Sequence, residues 1–206
     1  MLLAIDTSAG TTVAVVDRER GILAEHSTAD TRSHAEVIGT LIRASLDDAG
    51  IAVTDLSGVA AGMGPGPFTG LRVGIAAARA FAVGAGKPVV PIASHDAIAF
   101  GLGLGADDPV VIATDARRRE LFYSVYRGTD DAGLPVRTLG PALAKAAELE
   151  LPAGHRLIEA TEVSAGALGM LAETLYANGR AFAPDEPLYL RSPDVTLSAG
   201  PKRVTS

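Results

Sequence analysis

Gly62-Met63-Gly64-Pro65-Gly66-Pro67-Phe68-Thr69-Gly70 separates a buried-type strand from a long apolar helix, and its reading decides the fold. Upstream, LSGVAAGM (56–63) has the continuous apolar character of a strand covered on both faces. Downstream, Leu71 to Ala85 predicts a helix that Lys87-Pro88 ends. The connection is not a Walker loop, because no Gly-Lys-Ser/Thr follows, and its spacing is not that of a dinucleotide fingerprint. Two readings stay open. Gly64, Gly66, Thr69 and Gly70 could converge backbone N–H groups on an anion at the helix N-terminus. Alternatively, the loop is a rigid crossover and nothing more.

Towards the N-terminus, Leu2 to Ile5 reads as a strand ending in the turn formers Asp6-Thr7-Ser8-Ala9-Gly10. TVAVVD (12–17) follows, then a turn at Arg18 to Gly21, then Ile22 to Ser27, which gives a three-stranded meander. Ser33 caps a helix carrying Val37, Ile38, Leu41, Ile42, Leu46 and Ala49 at helical spacing, with Glu36 completing a capping box and Gly50 as the stop. A carboxylate at a strand end followed by hydroxyls suits a phosphate or a magnesium-bound water, so Asp6, Thr7 and Ser8 are candidate site residues. The same three residues also make an ordinary hairpin turn.

Towards the C-terminus, Val89 to Ile92 is a strand, Ser94 caps a helix to about Gly101, and GLGLGADD (101–108) reads as a linker. The second half restarts with Val110 to Thr114, ending in Asp115, then LFYSVY (121–126), with Pro135 to Leu139 as a third strand. Helices are predicted at Ala142 to Leu149 and Gly166 to Asn178, with a strand at Arg156 to Glu159 between them. From Pro184 the chain reads as loop, its last ten residues disordered. Each half opens with a strand ending in Asp, so a duplicated α/β unit with mixed sheets is expected: residues 1–101, 102–190 and a tail at 191–206.

Composition narrows the function. The 206 residues are 48% hydrophobic and 20% charged, which is globular and neither fibrous nor disordered. Aromatics make up 4% with no Trp, so stacking on bases is not a main device, and a net charge of −6 argues against a self-sufficient nucleic-acid binder. The absence of cysteine excludes disulfides, thiolate metal sites and cysteine nucleophiles. No signal-type segment opens the chain, and the longest apolar stretch, Val73 to Gly86, is too short for a bilayer and broken by Arg79, so a cytoplasmic protein without a membrane anchor is expected. The histidines at 26, 34, 95 and 155 have no helical metal spacing. Ser94-His95-Asp96 reads as a helix start, not a triad, since triad members are rarely adjacent in sequence and no G-x-S-x-G elbow exists.

Two further features concern partners. Arg117, Arg118 and Arg119 make a basic loop suited to RNA phosphate, an acidic partner or pairing with Asp115, or simply a solvated turn. The helix from Leu71 to Ala85 is apolar nearly all round, with Arg72 and Arg79 its only charges, so it is expected to be buried on two sides. One side is assigned to another subunit, through Leu71, Gly74, Ala77, Ala78 and Phe81 with Val37 and Leu41 of the neighbouring helix. The other reading is a helix wholly inside the monomer.

LLAIDTS (2–8), GMGPGPFTGLRVGIAAARAFA (62–82), DARRRE (115–120) and PLYLRSP (187–193) together resemble the TsaB (YeaZ) family. The resemblance implies an actin-like ATPase (ASKHA, ribonuclease H-like) fold of two small lobes, each a mixed sheet flanked by helices. It also implies a part in making N6-threonylcarbamoyladenosine at position 37 of tRNAs reading ANN codons. There the chain would be a non-catalytic partner of the paralogue TsaD, acting with TsaE, homodimeric when isolated and meeting tRNA only through the complex. It would need no cofactor of its own, ATP and a divalent metal being used by TsaD and TsaE. The family's loop reads Gly-Pro-Gly-Ser-Phe-Thr-Gly, so Pro67 departs from it. Two alternatives are an active phosphotransferase of the same fold, with Asp6 and Asp115 facing a nucleotide, and a peptidase, which has neither zinc ligands nor a nucleophile elbow behind it.

Overall fold

Alternate residues of the first strand enter two different cores. In a computed structural model that describes residues 1–29 and 34–191, Leu2 and Ala4 of β1 (Leu2–Asp6) face one core while Leu3 and Ile5 face the other. Both faces of the sheet are therefore covered, which is why its central strands read as continuous apolar runs. β1 pairs antiparallel with β2 (Thr11–Asp17), and β2 with β3 (Gly21–Thr28), completing the predicted meander. On its other side β1 runs parallel to β4 (Gly58–Gly62), and β4 to β5 (Val89–Ile92), for an order of β3-β2-β1-β4-β5.

One face carries α1 (His34–Ala49) and α2 (Phe68–Ala85); the other carries α3 (Ser94–Gly101) and α4 (Ala165–Ala177). Ser33 and its capping box with Glu36 fall outside the described residues, as do Ser192 to Ser206 and the disorder expected of the last ten. α2 starts at Phe68, three residues before the predicted Leu71, because Pro67 holds φ −59° at the N-cap and the helix can begin immediately. It ends at Gly86, whose left-handed φ of +65° turns the chain so that Lys87 N–H reaches the Ala82 carbonyl at 2.9 Å. At 18 residues α2 is, by length and composition, long and apolar enough to cross a membrane, longer than the Val73–Gly86 stretch suggested. It lies instead along β1 and β4.

The second sheet, β8-β7-β6-β9, repeats the strand order of the first up to its last strand. Its members are β6 (Val110–Asp115), β7 (Glu120–Thr129), β8 (Pro135–Lys145) and β9 (Arg156–Glu159). β6 pairs antiparallel with β7 and parallel with β9, as β1 does with β2 and β4. The helix predicted over Ala142 to Leu149 is absent. Ala142, Leu143, Ala144 and Lys145 continue β8 opposite Tyr123 to Glu120, and only Ala146–Glu148 coil into a 3-10 turn. An alanine-rich stretch prefers helix by a few tenths of a kcal/mol per residue, about the size that pairing with an open strand edge overrides. α4 belongs by sequence to the second half, yet it packs on the first sheet beside α3, whose other side meets β6, β7 and β8.

Candidate functional site

β1 delivers Asp6 to the junction of β4, the Gly-Pro loop and α3, and the carboxylate is 2% exposed there. Its Oδ1 accepts from Ser8 N–H at 2.7 Å and from the Ser8 hydroxyl at 2.5 Å, while its Oδ2 accepts from the Ser94 hydroxyl at 2.5 Å. Ser94 also accepts from Gly64 N–H at 3.1 Å and returns its own N–H to the Gly64 carbonyl at 2.8 Å. Both oxygens of Asp6 thus hold protein groups: one folds the Asp6-Thr7-Ser8 turn, the other ties that turn to α3 and the Gly-Pro loop. Burial raises the Asp6 carboxyl above its usual 3.8, and hydrogen bonds from Ser8 and Ser94 draw it partly back.

The glycines of the loop serve close approach. A Cβ on Gly62 would fall on Asp6 Oδ2, and one on Gly66 would stand 2.7 Å from Ser8 Cβ. On Gly70 it would meet the Thr7 carbonyl at 2.6 Å, and on Gly74 it would fall on Thr7 Oγ1. Thr7 itself donates to the Gly70 carbonyl at 2.7 Å. The loop is therefore laid directly onto the Asp-Thr-Ser turn. Of the candidate site residues, Asp6, Thr7, Ser8, Gly64, Gly66 and Gly70 are brought together and buried, while Thr69 stays exposed on the first turn of α2. Pro67 occupies the N-cap with no side-chain acceptor, so the departure from serine removes a capping hydroxyl.

A strap completes the junction. Residues 183–191 leave α4, and Ala183 N–H bonds the Pro91 carbonyl at 3.1 Å while Leu188 N–H bonds that of Met63 at 2.8 Å. Tyr189 packs on Phe68 with ring centroids 4.8 Å apart, Arg79 pairs with Asp185 at 2.8 Å, and Arg72 lies 5.2 Å over the Phe68 ring. Arg191 then reaches the second sheet, donating to the Ala116 carbonyl at 2.7 Å and pairing with Glu120 at 3.5 Å. The sequence marks PLYLRSP (187–193) as a family stretch but reads the chain from Pro184 as loop, with nothing to say that it straps the junction, and it reads Ser94 as a helix cap. Ser94 is instead the first helical residue, the N-cap being Ala93.

The second half contains a counterpart of the turn. Asp115 Oδ1 accepts from Arg117 N–H at 2.8 Å, as Asp6 does from Ser8, but Asp115 is exposed where Asp6 is buried. His95 is fully buried between the sheets, with Nδ1 2.9 Å from Ser124 Oγ and Nε2 3.0 Å from Thr114 Oγ1, and burial lowers its pKa to about 3. Asp96 beside it accepts from the Tyr126 hydroxyl at 2.7 Å and pairs with Arg137 at 3.2 Å. His26 bonds Asp48, His34 bonds Thr11, and His155 donates to the Ala153 carbonyl. Among the described residues no three His, Asp or Glu side chains are grouped to hold a metal ion.

The expected partner surface needs correction. Leu71, Gly74 and Ala78 face the first sheet and are buried within the monomer, on the stripe of the helix that lies against Thr7 and β4. Val37, Leu41, Ala77 and Phe81 are half-buried between and beside the two helices. The outward face is Thr69, Arg72, Ala76, Arg79, Ala80 and Val83, with Val83 83% exposed.

Known proteins resemble this arrangement. A family model described as TsaD, tRNA N6-adenosine threonylcarbamoyltransferase, matches residues 13–174. An uncharacterized protein of Mycobacterium tuberculosis is 37% identical over 207 residues, covering 94% of this chain and 92% of its own. The tRNA threonylcarbamoyladenosine biosynthesis protein TsaB of Haemophilus influenzae is 37% identical over 125 residues, 60% of this chain and 52% of that protein, so the match spans about half the length of that relative. A Pseudomonas aeruginosa crystal structure, described as similar to peptidase YEAZ, superposes with a TM-score of 0.78 at 26% identity, covering 92% of this chain and 99% of that one.

Proposed function

We propose, from the premise that this chain belongs to the TsaB (YeaZ) family, that it takes part in forming N6-threonylcarbamoyladenosine on tRNA as a non-catalytic partner of a TsaD-type transferase, with TsaE. The site is position 37 of tRNAs reading ANN codons. The observation that carries the non-catalytic role is the state of Asp6. In a phosphoryl-handling loop the strand-end carboxylate must face ligand or metal water. Here both its oxygens are committed to Ser8 and Ser94, Gly62 leaves no room for a β-carbon beside Oδ2, and Gly66 closes on Ser8. Such a carboxylate supports the loop instead of a ligand.

What remains for the first sheet is presentation. The closed junction stiffens the start of α2, and α2 offers a small-residue outer face through Ala76, Ala80 and Val83. Alanines let another helix approach closely, the geometry a TsaD partner or a second copy requires. The test is co-purification with TsaD and TsaE, with light scattering for the mass of the assembly. A stable complex, and restored modified adenosine in cells lacking their own TsaB, support the reading. A chain that restores modification without binding TsaD would refute it.

A further inference from the structure

The β6–β7 hairpin places three consecutive non-glycine residues in the left-handed region: Arg117 at φ +66°, Arg118 at +54° and Arg119 at +63°. Arginine has no local compensation for that conformation, and a hairpin needing it ordinarily uses glycine or asparagine. The surroundings hold the loop on every side. Ala116 N–H bonds the Glu120 carbonyl at 2.9 Å, and Glu120 N–H bonds that of Arg117 at 3.0 Å. Ala146 N–H bonds the Arg119 carbonyl at 2.9 Å, Asp115 takes Arg117 N–H at 2.8 Å, and Arg191 of the strap takes the Ala116 carbonyl at 2.7 Å. Backbone strain sustained this way marks a position where the side chains matter more than the turn. The loop presents the exposed side chains of Arg117, Arg118 and Arg119 beside Asp115 and Glu120, on a chain of net charge −6.

We infer that this hairpin is a contact for RNA phosphate, gripping the tRNA backbone while the chain is held in its complex. Guanidinium forks match phosphate oxygens in pairs, and the three arginines are exposed. No aromatic residue lies within the Asp115–Glu120 hairpin, so the contact positions RNA without reading bases. One basic loop on an acidic chain cannot bind tRNA strongly unaided, so the contact is felt only where TsaD supplies the rest. The inference therefore rests on the pathway reading above.

Its test replaces Arg118 and Arg119 with glycine, which removes charge and suits the positive φ. The variant is reconstituted with TsaD and TsaE, and binding of an unmodified tRNA transcript is followed across salt concentrations. The expected result is a folded chain, an assembly of unchanged mass, and tRNA affinity roughly tenfold or more weaker, with the log–log salt slope reduced by about 1 to 2. Arg119→Lys, which keeps the charge, should retain most of the parent's affinity. An unchanged salt slope would overturn the inference. So would loss of the assembly, since the hairpin would then be a contact for an acidic protein surface. If the parent complex binds and modifies no tRNA, it is the pathway reading that fails.

Discussion

Ser94 donates its hydroxyl to Asp6 Oδ2 at 2.5 Å, joining the end of the first strand to the start of the third helix across 88 positions of sequence. Gly62 lies against the same oxygen so closely that no β-carbon fits. Ser94→Ala would leave that buried oxygen and Gly64 N–H without their partner, a loss of about 1–3 kcal/mol. Gly62→Ala forces the carboxylate aside and is expected to lose about 2–5 kcal/mol. Urea unfolding of both variants checks this. Full stability in Gly62→Ala would show that Asp6 is not clamped.

Two buried titratable groups pull stability in opposite directions with pH. His95 has its pKa lowered to about 3 from 6.5, so the unfolded chain takes the proton more readily. The stability its neutral form provides is present above pH 6.5 and is lost progressively as pH falls towards 3, up to about 4–5 kcal/mol. Asp6, raised above 3.8, is protonated more readily in the folded chain, so its contribution is present at low pH and declines as pH rises through its folded pKa. Unfolding curves from pH 4 to 8 should show acid destabilisation that His95→Gln flattens, and a decline with rising pH above the ordinary carboxylate range that Asp6→Asn flattens. A steeper acid loss in His95→Gln would contradict the assignment.

The outer and inner faces of α2 should separate under substitution. Ala78→Glu places a charge in the core against the first sheet and should unfold the protein, a cost above about 4 kcal/mol. Ala80→Glu and Val83→Glu lie on the outward face and should change stability by less than about 1 kcal/mol. If that face meets a partner, they weaken association with TsaD by more than about a hundredfold. Circular dichroism separates the two classes and light scattering reads the association. Folded outer-face variants that assemble normally would move the interface elsewhere.

The strands were legible because apolar runs and turn formers alternate cleanly: Val89 to Ile92 and Arg156 to Glu159 begin and end where the sequence places them. The failures have physical causes. Ala142 to Lys145 has helical composition, but the edge of β7 is available and only the fold reveals it. Apolarity all round α2 suggested two covered sides, and it cannot distinguish Ala78 in the core from Ala80 in solvent when both are alanine. Asp6 was recognisable as a strand-end carboxylate. That its two oxygens would be taken by Ser8 and by Ser94 depends on where α3 begins in space.

Transfer chemistry measured by omission tests the central claim most directly. This chain, tRNA reading ANN codons, threonylcarbamoyl-AMP and a divalent metal would be incubated with and without TsaD, and the digested nucleosides separated. The account predicts no N6-threonylcarbamoyladenosine without TsaD at any concentration of this chain. With TsaD and TsaE present, yield should rise when the chain is added, and Ser94→Ala should lower it only as far as it lowers the amount of folded complex. Modified adenosine formed by the chain alone would contradict the account.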